Sequence, residues 1–205
     1  MNERKSIRSF LALPAPLWET VRVTAGAFAV LALVGFFVGM ARPAAIDPLL
    51  DIFADAAEGL VLSGISGAAL AEAIFANNLL ALLMTICMGF FPFLRLPALE
   101  LGLNTLLLGG FAAYYQRSGL GIAAYLAGTL PHGVTELPAL VVACACGLYL
   151  CRAVSGRLLR REGVPTVREA AGVCLRAYTR LIAPLLLVSA LIESFVTPLI
   201  LARFL

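Results

Sequence analysis

Charge is scarce in this chain. Of 205 residues, 13% are Asp, Glu, Lys or Arg, while 61% are hydrophobic, and the mean hydropathy is +0.98. A soluble domain is about a quarter charged and about half apolar, so this composition excludes one and describes a membrane protein. Histidine is nearly absent too, with His132 the single example. There is no His-Glu-x-x-His, no Gly-x-Ser-x-Gly and no paired aspartates, the usual marks of a hydrolase. No ATP-binding loop is present, so any energy-driven activity needs a separate ATPase subunit. No nucleic-acid motif accompanies the arginines. The cysteines are Cys87, Cys144, Cys146, Cys151 and Cys174. Cys144-x-Cys146 is not a zinc spacing and no second Cys/His pair answers it. These thiols read as small apolar packing residues, and the sequence calls for no metal or cofactor.

The apolar residues fall into runs that suit membrane helices, each needing about 20 residues. Val21 to Met40 is the clearest, too long for a signal-peptide core. Gly35 and Gly39 lie one turn apart in it and allow a close helix approach. A second span is expected over Asn77–Leu94, with Asn77 and Asn78 capping its start and Pro92 near its far end. After a tight turn at Arg95, a third runs from Pro97 to Tyr115. It places Glu100 and Asn104 on one face and Tyr114 and Tyr115 at an interface. Residues 119–151 are too many for one straight crossing, and they hold Pro131 and Pro138. The expectation is a broken span, or a re-entrant helix before a fourth span. The last span is Leu181–Ala202. Residues 1–205 thus read as one all-α, polytopic membrane domain of about five transmembrane helices.

Charge distribution predicts the orientation. Arg4, Lys5, Arg8 and Arg22 face only Glu3 and Glu19 in residues 1–22. In 152–180, Arg152, Arg157, Arg160, Arg161, Arg168, Arg176 and Arg180 outweigh Glu162 and Glu169. In 41–76 the balance reverses, with Arg42 against Asp47, Asp51, Asp55, Glu58 and Glu72. The positive-inside rule puts the N-terminus and 152–180 in the cytoplasm, and 41–76 and the C-terminus outside. The acidic segment has helical apolar spacing interrupted at Leu62-Ser63-Gly64 and Ile65-Ser66-Gly67, which suggests two short amphipathic helices. The sequence Thr166-Val167-Arg168-Glu169 is a capping box opening a helix toward the last span. Membrane-proximal arginines also suit anionic headgroups.

Polar residues at membrane depth cost a few kcal/mol when charged and mark function by default. Here they are Glu100, Asn104, His132, Glu136 and Glu193, with Thr197 beside the last. If their segment is helical, His132 and Glu136 share a face and could form an ion pair or bind a metal. If Thr135 instead caps a helix, Glu136 sits in its first turn. Four roles are open at this point: hydrogen-bonded support of a broken helix, a transport or lipid-handling cavity, a partner surface within the membrane, and intramembrane hydrolysis. The last is disfavoured by the missing motifs.

Three motifs carry a resemblance. Leu130 to Leu140 reads LPHGVTELPAL and is followed by Gly147-Leu148; Leu191 to Pro198 reads LIESFVTP; Phe75 to Asn78 reads FANN. Together they resemble the signatures of the stage II sporulation protein M (SpoIIM, DUF95) family, from about residue 20 to the end. The signature positions are Asn77, Asn78, Asn104, Pro131, His132, Gly133, Glu136, Pro138, Glu193, Thr197 and Pro198. Asn104-Thr105 departs from the Asn-Gly that the family often carries. The resemblance implies a multi-pass protein of the cell membrane. The namesake works in engulfment during sporulation, anchoring peptidoglycan-degrading partners. The family supplies no catalytic residues to carry over. The expected function is therefore a non-enzymatic scaffold that recruits cell-envelope proteins such as peptidoglycan hydrolases. The alternatives are a permease-like subunit for a lipid or small solute, working with an ATPase, and an intramembrane metal-dependent hydrolase.

Overall fold

The computed structural model describes residues 13–62 and 65–203, without the side chains of 53–62. Among the described residues there is no strand. The helices are α1 (Ala15–Ala41), α2 (Pro43–Leu62), α3 (Gly67–Cys87), α4 (Leu96–Arg117), α5 (Gly121–Leu158), α6 (Val167–Ala177), α7 (Ala183–Leu191) and α8 (Thr197–Leu201). A 3₁₀ turn, Met88–Phe90, ends α3, and π turns at Tyr178–Ile182 and Ile192–Val196 join α6, α7 and α8 into one continuous rod. Five helical stretches are long and apolar enough to cross a membrane: Ala15–Ala41, Gly67–Phe90, Leu96–Arg117, Gly121–Leu158 and Val167–Leu201.

The central column is α5. In its most apolar window 67% of residues are buried, against 17% for α1. Small residues make that possible: Ala139, Ala143, Cys144, Ala145, Cys146 and Ala153 are all fully enclosed. Neighbours can therefore approach on every side. All five cysteines are free, and Cys87 alone is exposed.

Glycine sets the α1–α4 contact. A Cβ on Gly35 would lie 2.3 Å from the Leu106 carbonyl oxygen, and one on Gly109 would lie 2.0 Å from that of Ala32. The two backbones touch, as the Gly35/Gly39 spacing suggested. Gly35 meets Leu106 and Gly39 meets Ala113, so α1 and α4 run parallel. Against α5, α4 is antiparallel: Tyr125 donates to the Leu108 carbonyl (2.8 Å), and Gly147 abuts Pro97. The start of α1, the α3–α4 turn and the α5–α6 loop thus share one end of the bundle, the basic end. Leu201 reaches Gly128 near the other, where α2 lies.

Several sequence expectations need correction. Residues 119–151 are neither broken nor re-entrant. The helix runs unbroken through Pro131 and Pro138 for 38 residues, about 57 Å at 1.5 Å per residue. That exceeds a bilayer core of about 30 Å, so its ends project beyond it. Each proline removes one backbone donor, but neighbouring helices can sustain such a helix. Thr135 does not cap; its hydroxyl donates back to the His132 carbonyl (2.9 Å). Nor do Asn77 and Asn78 cap a helix. The N-cap is Ser66, and α3 is already ten residues long at Asn77. The Ala, Leu and Glu residues of 68–76 are strong helix formers and extend the span upstream. The acidic segment accordingly holds one separate helix, α2, and not two; Ser63 and Gly64 lie outside the described residues. Pro92 falls in the turn after the 3₁₀ segment. The last span begins not at Leu181 but within a rod opened by the capping box, where Thr166 and Glu169 satisfy each other's backbone. Of the charges that suggested orientation, Arg4, Lys5, Arg8 and Glu3 lie outside the described residues.

Candidate functional site

Toward the end of the bundle opposite the basic cleft, α5 and the terminal rod bring three ionisable side chains together. His132 and Glu136 stand one turn apart on α5, and Glu193 comes from the second π turn. One ligand-capable atom of each lies within 4.8 Å of the other two, and all three residues are half-buried. A π turn adds a residue to the helical turn and rotates the side chains beyond it about the helix axis. Here Glu193 and Ser194 lie in that turn. Pro198 sits in the first turn of α8, directly after it, where a missing N–H is tolerated.

Hydroxyls surround the three groups. Ser189, fully buried, hydrogen-bonds to Glu136 Oε2 (3.1 Å) and to the His132 carbonyl (3.3 Å). The Thr197 hydroxyl contacts His132 Nδ1 at 3.4 Å. Gly133 is buried on the same turn of α5. No lysine or arginine occurs in 121–151 or 181–202, the stretches that carry the site.

The sequence grouped Glu100 and Asn104 with these residues; the structure separates them. Glu100 Oε1 accepts from Thr85 of α3 (2.7 Å), at the level of Cys144 and Gly147 on α5. That level is 12 or more residues along α5 from His132, about 18 Å or more at the helical rise. Asn104 is exposed, and its amide donates to the backbone carbonyl of Glu100 (3.1 Å) and not to the carboxylate. Asn77 and Asn78 touch each other at 3.4 Å on α3. Glu100 therefore does not share one site with Glu136 and Glu193. Ser189, in contrast, had drawn no attention as a lone serine in an apolar run.

Two further features flank the site. At the basic end, a cleft of about 820 Å³ is lined by Arg95, Arg152 and Arg161, with Thr20, Ser155 and Glu162. At the other end, Arg117 of α4 pairs with Asp47 of α2 through two hydrogen bonds (2.5 and 3.2 Å). Ile46 and Leu50 of α2 are buried against Gly110 and Leu107.

Five apolar spans around a small-residue column define a multi-pass helical membrane protein. The family model for Stage II sporulation protein M matches residues 24–198. The chain belongs to the stage II sporulation protein M family. No curated protein and no solved structure matches it.

Proposed function

We propose that the protein is a non-enzymatic membrane scaffold that recruits or positions peptidoglycan-remodelling partners at the cell envelope. The observation that carries this reading is α2. It is an acidic helix outside the five spans, fixed to the bundle by the Asp47–Arg117 pair and by the seating of Ile46 and Leu50. Crossing a membrane needs no such fixed helix, whereas presenting a docking surface does. Its free face offers Leu49, Asp51 and Ile52. In this reading the basic end is cytoplasmic, by the positive-inside rule, and α2 faces the cell wall. Family membership supports it, since the namesake anchors peptidoglycan-degrading partners.

Co-purification tests this. The tagged full-length chain is extracted from its native membrane in mild detergent, and associated proteins are identified by mass spectrometry. Envelope hydrolases in stoichiometric amount, reduced by Asp47→Ala, support the scaffold. Recovery of the chain alone refutes it. A second reading, a permease-like subunit, draws on the arginine-lined cleft, which suits an acidic face of an ATPase. An ATPase recovered in equal amount would favour that reading.

A further inference from the structure

We propose that His132, Glu136 and Glu193 form a divalent-cation site that clamps α5 to the terminal rod. The first argument is convergence. Ligand atoms from residues 57 positions apart in sequence lie within 4.8 Å of one another. Around one ion at about 2.1 Å, neighbouring ligand atoms stand about 3 to 3.4 Å apart. Small side-chain rotations close that difference.

The second argument is an imbalance of acceptors over donors. The two carboxylates bring four acceptor oxygens, and a neutral imidazole adds a lone pair. The donor facing them is the Ser189 hydroxyl on Glu136. Neither stretch that carries the site contains a lysine or arginine. Two carboxylates held this close in an apolar setting repel when both are ionised, and a cation between them removes that repulsion. A divalent ion with both carboxylates and a neutral imidazole sums to zero charge, the least costly state at membrane depth.

The third argument is how the candidate ligands are held. Histidines that bind metals usually engage their other ring nitrogen with a fixed acceptor, and ligating carboxylates accept a further hydrogen bond. Thr197 stands at His132 Nδ1, so an Nδ1–H hydrogen bond to its hydroxyl oxygen would leave the Nε2 lone pair free. Ser189 holds one oxygen of Glu136 and leaves the other available. One nitrogen and two oxygens suit Mn²⁺, Fe²⁺ or Zn²⁺ better than Cu⁺, which prefers sulfur. Three protein ligands leave the remaining positions to water or to a partner's donor group. This inference does not depend on the scaffold reading.

The test uses the full-length chain in detergent, stripped with EDTA and dialysed against Mn²⁺. Manganese is the probe because it does not favour the five thiols. The expected result is one Mn²⁺ per chain, with a nitrogen coupling in its magnetic resonance spectrum that disappears in His132→Gln. Glu193→Gln, nearly isosteric, should weaken binding at least tenfold while the protein still elutes as a folded species. Ser189→Ala should weaken it by about tenfold, the scale of a lost orienting hydrogen bond. Glu72→Gln, an exposed carboxylate on α3, should change nothing. Failure of the wild type to bind Mn²⁺ or Zn²⁺, or equal binding by wild type and Glu193→Gln, would overturn the proposal.

Discussion

Replacing Gly109 with alanine should pry α1 away from α4. The added Cβ would lie 2.0 Å from the Ala32 carbonyl oxygen and 2.7 Å from the Phe36 nitrogen. Both are backbone atoms, so no side chain can rotate aside. Relief requires the helices to separate by roughly 1 Å, and a gap of that size forfeits up to about half of each dispersion contact along the seam. Overpacking of this kind costs about 1–3 kcal/mol. Alanine returns about 1 kcal/mol through its better helix propensity. Because the clash is with backbone, we place the net loss near 2 kcal/mol. Gly26 of α1 is the internal control. A Cβ there meets nothing within 4 Å, so Gly26→Ala keeps only the propensity gain. The two substitutions should differ in sign. Unfolding in mixed detergent–SDS micelles, followed by fluorescence of Trp18, the only tryptophan, measures both. Equal midpoints for Gly109→Ala and Gly26→Ala would refute the backbone contact.

Three other outcomes are expected. Thr166→Ala should destabilise the start of α6 by about 1 kcal/mol, since it removes the acceptor for the Glu169 N–H; thermal unfolding in detergent would register the loss. Asp47→Ala should cost about 0.5–1 kcal/mol, because the pair is partly exposed at 24% and 31%; raising the salt concentration should shrink the difference from wild type, and the Asp47→Arg, Arg117→Asp double exchange should recover part of it. Thr85→Val should cost about 1–3 kcal/mol, because Glu100 Oε2 already lacks a partner and Oε1 would lose its own; a larger melting loss for Thr85→Val alone than when it is added to Glu100→Leu would identify that hydrogen bond as the cause.

Local composition made the spans legible in the sequence. A run of about 20 apolar residues has few other uses, so the expected spans fall within α1 and α4, although α1 starts at Ala15, well before Val21. The capping box at Thr166 was equally readable, because both of its partners lie within one turn. Prolines misled. In water Pro131 and Pro138 would end a helix, but α5 continues through both. The start of α3 misled for the opposite reason: Glu72 fell in the acidic segment read as a separate short helix and the two asparagines read as a cap, though 67–78 continues into the span as one helix. Long-range pairs left no trace. Asp47 and Arg117 are 70 residues apart, and Glu136 and Glu193 are 57 apart. The π turn that aims Glu193 had only an indirect signal. Pro184 and Pro198 each follow a π turn by two residues. Each sits where the helix has just been re-registered and one N–H can be spared.

Many polar side chains within the spans, Thr24, Thr105 and Thr135 among them, donate back to their own helix. Several others tie one helix to another with donors and acceptors in balance. Tyr125 binds the Leu108 carbonyl, Tyr178 the Leu79 carbonyl (2.7 Å), and the Cys174 thiol the Cys146 carbonyl (3.4 Å). Each supplies one donor to one backbone acceptor and leaves little residual charge. Such ties are what a rigid frame needs, and they account for polar residues at membrane depth without any ligand. Glu100 comes near this pattern, with one of its two oxygens satisfied by Thr85. His132, Glu136 and Glu193 depart from it. Holding α5 to the terminal rod would need only the Ser189 hydroxyl, which already reaches two groups on α5. The Glu136 and Glu193 carboxylates, when both are ionised, add repulsion to a junction that was already closed. A structural role therefore explains Ser189 and leaves the three ionisable groups unexplained, and their surplus of acceptors is what a bound cation would use.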